Sequence, residues 1–434
     1  MDEQLKRRLE LIYQAMKDHL FEGIVPFWCR RAMDREYGGY MTNFDESGNP
    51  KDMPVKNTWA QARYCWFFSH LCRTFAPRDE WAGLARAGVD FLIQRCWDQD
   101  YGGWYCRLRR DGTVLLDNKI VYDQSFTIYA LAEYYLAFDD KRALQYASDT
   151  FDLLQKYCAD TLSGGYYEYL ERDWRVSPPG AACGDMKSLD SHMHLMEAFT
   201  PLFQASGREI HRRKLLEILD LIVVHMIDPE FGCGWNQFGP QFRPTPGFRK
   251  PVTLYPHEEN RDHPDQSLHY TSYGHNVELA WLMRRALQVA QEDTEKYRKI
   301  LRGLLDHAVR FGVDAEYGGL YRFGLHSGEI LVTEKEFWQH TETLTGFLDG
   351  YEEFEDARYI DAFINIWEFS DTYLINHDVG EWRHFLDRRG RVINGDLGPP
   401  GKVAYHTGRA IIECMRRLER LLDLKPAGAD AGSS

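Results

Sequence analysis

A short phrase recurs six times along this chain of 434 residues, and no other feature restricts its fold as much. It reads DREYGGY at Asp34–Tyr40, DQDYGGW at Asp98–Trp104 and DTLSGGY at Asp160–Tyr166. It continues as DPEFGCG at Asp228–Gly234 and DAEYGGL at Asp314–Leu320, with a degenerate copy at His377–Trp382. Self-similarity at a long period signals one supersecondary unit stacked on itself. The paired glycines supply the backbone freedom of a tight turn, and the large residue after them is placed to pack back on the unit. Between phrases the period is helical: Leu215, Leu219, Ile222 and Met226 fall on one face, bracketed by Arg212–Lys214 and Asp228–Pro229. Each interval has room for two helices and a turn. Six such hairpins stack as an open solenoid or close into a double-layered helical toroid. The closed ring is the expectation, because the intervals are uneven and the fourth unit carries a long insertion, Asn236–Tyr270, rich in Pro, Gly and His, of the kind that covers a binding face. One domain is expected over 1–424, and the small polar tail 425–434 is expected to be disordered.

The net charge of −14 repels phosphate backbones and anionic lipid, so neither nucleic acid nor a membrane surface is an expected partner. No window approaches the roughly 18 apolar residues of a membrane span. The start, Met1–Arg8, mixes both charge signs with no apolar stretch after it, and the cytoplasm is the expected compartment. Nine cysteines without a CxxC pair read as free thiols. Aromatic residues, at 14%, are the unusual fraction; their flat faces fill cores and also stack on sugar rings.

No phosphate-binding loop, dinucleotide fingerprint, nucleophile elbow or HExxH motif is present, so no cofactor is expected. His257, Glu258, Glu259 and His263 in the insertion match no metal-ligand spacing, and no metal is expected. What remains is a set of histidines in helical context. His275 and Glu278 share a face, as do Asp190 and His194; Trp338 and Glu342 share another, and His406 opens the last helical stretch. A carboxylate beside an imidazole raises its basicity and fixes its orientation. Each cluster alone reads most simply as a structural histidine, but four of them at corresponding places in successive repeats of a toroid aim at one axis.

These residues carry a resemblance. The block Ser272–Trp281, with Tyr273, Gly274, His275 and Glu278, resembles the SYGHxxExxW motif of the N-acylglucosamine 2-epimerase superfamily. Lys187–Thr200, Tyr405-His406 with Arg409, and Arg63 with Trp66, Phe68 and Ser69 are similar to further blocks of its cellobiose 2-epimerase, mannose 2-epimerase and aldose–ketose isomerase branches. The resemblance runs from Phe27 to Leu421 and implies an all-α, (α/α)6 barrel. It implies cofactor-free proton chemistry at C2 of an aldose, with His275 and His406 as the acid/base pair and His194 as a third catalytic histidine. Arg63 would stabilise the enediolate, Glu278 and Glu342 would orient the histidines or hold hydroxyls, and Trp281 and Trp338 would offer ring faces; Asp190 and Tyr122 complete the substrate-binding set.

By the same resemblance His194 points to an unmodified small-molecule sugar, and a homodimer is the assembly relatives suggest. The chain departs from the branch at Asp190 (usually Asn), at His340 (usually Gln), at Gly398–Lys402, which lacks a Trp, and in the longer insertion; all four are expected to border the substrate. The favoured reading is a 2-epimerase acting on mannose, glucose or a β-linked disaccharide such as cellobiose. Aldose–ketose isomerisation uses the same histidines, a glycoside hydrolase would need an isolated carboxylate pair, and a binding protein would need no chemistry at all.

Overall fold

The computed structural model describes residues 1–246, 251 and 268–427. His257, Glu258, Glu259, His263 and most of the tail lie outside the described residues. Thirteen α-helices among the described residues form two layers. The inner layer is α3 (Thr58–Thr74), α5 (Val121–Phe138), α7 (Leu189–Ser206), α9 (Tyr273–Ala290), α11 (Phe337–Phe354) and α13 (Ala404–Leu422). Each touches the next, and α13 touches α3, so the ring closes. The outer layer is α1 (Glu3–Asp18) continued by α2 (Val25–Arg31), then α4 (Asp79–Phe91), α6 (Lys141–Leu153), α8 (Glu209–His225), α10 (Arg298–His307) and α12 (Ala357–Phe369). No helix among the described residues is long and apolar enough to cross a membrane.

Apolar faces meet between the layers. Leu215, Leu219, Ile222 and Met226, the expected stripe, are fully buried there. At one end of the ring the inner helices pass to the outer ones through short turns, with Asp139, Gly207 and Glu355 in left-handed conformation. At the other end each outer helix returns through the repeated phrase, then through a short hairpin, to the next inner helix. The strand ahead of an inner helix pairs with the hairpin of the following repeat, as Val55–Asn57 does with Arg107–Arg109 and Tyr270–Ser272 with Phe323–Leu325. Helical periodicity carries no signal for these two- and three-residue strands, which stitch neighbouring repeats together around the mouth.

The phrase works as a polar latch. Both glycines of Gly102-Gly103 have positive φ, and a Cβ on Gly103 would fall 2.3 Å from the Trp174 ring, so only glycine fits. The next residue is buried, as are Tyr40, Trp104, Tyr166 and Leu320. Its backbone N–H is received by the fourth residue of the following inner helix: Gln61 takes Tyr40 N–H (2.7 Å), Gln124 takes Trp104 N–H (3.0 Å), His192 takes Tyr166 N–H (3.0 Å) and His340 takes Leu320 N–H (3.0 Å). His340 is therefore a turn cap that does not line the central cavity, contrary to its expected place beside substrate. Its Nδ1 donates to Glu336 O, which fixes the neutral tautomer, and burial pushes its pKa down to about 3. The sixth phrase starts one residue earlier than its degenerate sequence suggests: Gly380 N–H donates to Asn376 O, as Gly38 N–H does to Asp34 O in the first.

Candidate active site

Because the phrase end of the ring holds every inner-helix N-terminus, six helix dipoles present their positive ends to one cavity. That cavity has a volume of about 270 Å³. Residues one turn apart on each inner helix build rings down its axis. The sixth residue of the six inner helices is, in order, Arg63, Phe126, His194, Glu278, Glu342 and Arg409, so one structural position supplies two guanidiniums, two carboxylates and an imidazole. One turn above, near the mouth, stand Trp59, Tyr122, Asp190 and Trp338, with His275 and His406 beside them. Arg63, Tyr122, Asp190, His194, His275, Glu278, Trp338 and His406 all line the cavity.

His406 donates Nδ1–H to Glu342 Oε1 at 2.6 Å, which leaves its Nε2 as the basic nitrogen. Burial, reinforced by the Arg63 and Arg409 charges, holds its pKa well below the ordinary imidazole value. Burial also lowers His275, although Asp190, 3.7 Å from its Nε2, pulls the other way. Both rings are therefore neutral near pH 7, the form a base needs. The Trp338 ring contacts both, with centroids 4.6 Å from His275 and 5.9 Å from His406. His194 behaves oppositely. Burial alone would lower it, but hydrogen bonds to Asp190 (3.2 Å) and Glu197 (2.7 Å) lift it to about 9, so it carries a proton.

Below these groups lies a charged floor. Arg409 donates to Glu278 Oε1 (2.9 Å) and Glu342 Oε1 (2.8 Å), and also to Glu197 and Tyr405. Burial and the neighbouring Glu342 raise Glu278, whose buried Oε2 has no hydrogen-bond partner among the described residues. Glu278 does not orient His275, as its spacing suggests; it reaches past it to Arg409. Donor atoms of Glu278, Glu342 and His406 lie within 4.8 Å of one another, but the Arg409 guanidinium already neutralises the two carboxylates where an ion would sit. Arg63 is held between the rings of Phe126, Tyr405 and Trp59 at 4.0, 4.5 and 4.7 Å. Its Nη2 donates to Tyr122 OH (2.9 Å), and the guanidinium lines the cavity, where its charge favours an oxygen on which negative charge develops.

Trp281 lies beneath the floor, where it donates to Glu342 Oε2 (3.2 Å); it supplies no ring face to the cavity. Sequence reasoning missed Glu197, Arg409 and Trp59 as site residues. Glu197 and Trp281 are both the ninth residue of their inner helices, a register visible only once the helix starts are known. Trp59 accounts for the missing tryptophan near Lys402: Gly401 has φ +93°, and a Cβ there would fall 2.0 Å from the Trp59 ring, which fills that space from the neighbouring inner helix α3.

Known proteins share this architecture. Residues 39–410 match the family model described as N-acylglucosamine 2-epimerase. A cellobiose 2-epimerase from Bacteroides fragilis is 27% identical, over 94% of this chain and 99% of its own length. A D-mannose isomerase from Marinomonas mediterranea is 23% identical, over 92% of this chain and 95% of its own. Among solved structures, the cellobiose 2-epimerase from Spirochaeta thermophila superimposes with a TM-score of 0.84 at 26% identity, covering 97% of this chain and all of that one.

Proposed function

We propose, from the premise that the chain belongs to the N-acylglucosamine 2-epimerase family, that it epimerises an unmodified aldose at C2 by proton removal and return. The observation that carries this reading is the pair of neutral imidazoles, His275 and His406, both against Trp338 in a cavity floored by charge. In the open-chain sugar the C2 proton is weakly acidic because the C1 carbonyl takes up the electron pair. One imidazole removes that proton, and the C1 oxygen becomes part of an enediolate. The Arg63 guanidinium, which lines the cavity, offers hydrogen-bond donors to it, and the protonated His194 adds positive charge. The second imidazole takes a proton from water and delivers it to the opposite face of C2, which gives the epimer, while the first imidazole returns the abstracted proton to solvent. Delivery to C1 instead gives the ketose.

The second reading, aldose–ketose isomerisation, draws on the D-mannose isomerase relative and on Asp190, a carboxylate that faces both His194 and His275 and can pass a proton between them. Mannose, glucose and cellobiose incubated with the protein in D2O separate the two. Deuterium at C2 of an epimeric aldose is the expected result, deuterium at C1 of a ketose establishes the second reading, and no exchange with any aldose ends both.

A further inference from the structure

Four of the five buried aspartates that open the repeat phrase are neutralised by a buried lysine two residues ahead of the next inner helix. The pairs are Lys56–Asp34 (2.9 Å), Lys119–Asp98 (3.0 Å), Lys187–Asp160 (2.7 Å) and Lys335–Asp314 (3.1 Å). Three of them also receive an arginine from the tip of the next hairpin: Arg110 on Asp34, Arg172 on Asp98 and Arg388 on Asp314. Asp228, in the fourth repeat, is equally buried and has neither cation among the described residues. The lysine position is Thr271, whose hydroxyl turns to Gly234 O. The arginine position is His326: Arg109, Leu325 and Asp387 make the same backbone turn, and Arg110, His326 and Arg388 each come next.

His326 is fully buried, with Nδ1 2.8 Å from Asp228 Oδ2. Its Nε2 meets no hydrogen-bond partner among the described residues, so a doubly protonated ring would bury an unpaired N–H; it is a poor substitute for a fixed cation. A second imidazole stands beside it. The His269 backbone carbonyl accepts the His326 backbone N–H at 2.9 Å, and the two ring centroids are 5.5 Å apart, both against the Trp235 ring. One donor atom from each of Asp228, His269 and His326 lies within 4.8 Å of the others.

We propose that Asp228, His269 and His326 form a binding site for a divalent first-row transition ion, which supplies the positive charge that lysine and arginine give the other repeats. Two imidazoles and a carboxylate are a donor set that suits Zn²⁺, with a fourth position left for water. Bond lengths of about 2.0–2.2 Å place tetrahedral donors about 3.3 Å apart; the three donor atoms lie within 4.8 Å of one another, and to bind the ion Asp228 and His326 exchange their 2.8 Å hydrogen bond for two metal bonds. The ion ties the phrase turn, the strand that leads into α9 and the following hairpin, and so fixes the helix start that carries His275. None of the three residues lines the catalytic cavity. No spacing pattern announces this cluster, whose hydrogen-bonded pair is 98 positions apart in the chain.

The test is calorimetric titration of Zn²⁺ into tag-free, EDTA-stripped full-length protein, repeated on His326→Arg and His269→Ala. His326→Arg restores the cation of the sister repeats, so it folds without metal, as circular dichroism will show. Wild type is expected to bind one equivalent, and each variant to bind at least tenfold more weakly. Co²⁺ in the same site is expected to give a tetrahedral visible spectrum without thiolate charge transfer. Failure of wild type to bind Zn²⁺, or equal binding by His326→Arg, overturns the proposal. Sugar exchange assayed on the stripped protein is a separate readout, so loss of this site and loss of the epimerase reading are told apart.

Discussion

Three histidines of one residue type are set to different protonation states by their neighbours, and that division makes the site testable. His275 and His406 are lowered by burial, whereas His194 is raised to about 9 by Asp190 and Glu197 against its own burial. Replacing His275 or His406 by Asn removes an acid/base group worth roughly 10²–10⁴ in rate. Loss of C2 deuterium exchange with an unchanged circular dichroism spectrum is the expected result, and residual exchange above about a tenth of wild type would exclude that residue as the base. The pH profile follows from the same assignments. Turnover rises as the pH climbs through the lowered values of His275 and His406, below 6.5, where they lose their protons. It falls again as His194 loses its proton near 9. Asp190→Asn removes one of the two groups that lift His194, so the basic limb of kcat/KM moves to lower pH; an unmoved limb assigns it to another group.

At the scale of the element, the inner helices carry two codes on different registers. Their fourth residues, Gln61, Gln124, His192, Asn276 and His340, hold the preceding phrase turn, while their sixth residues make the reactive ring. Gln124 both accepts Trp104 N–H and donates to Trp104 O at 2.8 Å. Gln124→Leu buries both backbone groups unpaired and is expected to cost about 2–4 kcal/mol in urea unfolding. His340→Gln exchanges one cap type for the one used by two sister helices; stability within about 1 kcal/mol and unchanged turnover are expected. A drop in turnover without a drop in stability would return His340 to the substrate.

These codes explain what could be read from the chain. The phrase is legible because positive φ at its tight turn strongly favours glycine, which keeps four of the repeats at Gly-Gly. The cap positions hold Gln, His or Asn, and the reactive ring holds Arg, Phe, His or Glu, so side-chain identity hides their equivalence. The histidines surfaced through family resemblance and local spacing. Arg409 did not, because its carboxylate partners are supplied by helices far away in the chain, and Glu278 was paired with the wrong neighbour for the same reason; Glu197, three residues from His194, carried a local signal that Asp190 on the other side of that imidazole masked.

The whole molecule is closed through one side chain. Arg409 on α13 reaches across the ring to Glu197 on α7, Glu278 on α9 and Glu342 on α11, so the last helix neutralises carboxylates from half of the inner layer. Buried carboxylates without a counter-charge are far costlier than a completed pair. Arg409→Met keeps the apolar stem against Trp281 and Tyr405 but removes the charge, and is expected to destabilise the protein by about 3–5 kcal/mol. The sign of its pH dependence separates this account from a simple packing defect. In the intact chain, burial opposes ionisation of Glu197, but Arg409, His194 and Tyr405 overcome it and hold the group down at about 2, below its ordinary 4.5. Its contribution to stability is therefore fully present above pH 4.5 and is lost as the pH falls towards 2. In Arg409→Met, Glu197 loses that hold and favours the protonated form, as Glu278 and Glu342 already do in the intact chain, and acid relieves it. The stability gap between variant and parent should narrow as urea unfolding is repeated from pH 7 down to pH 4. A gap that stays constant would mean that the guanidinium acts by shape, and that the ring is held closed by packing alone.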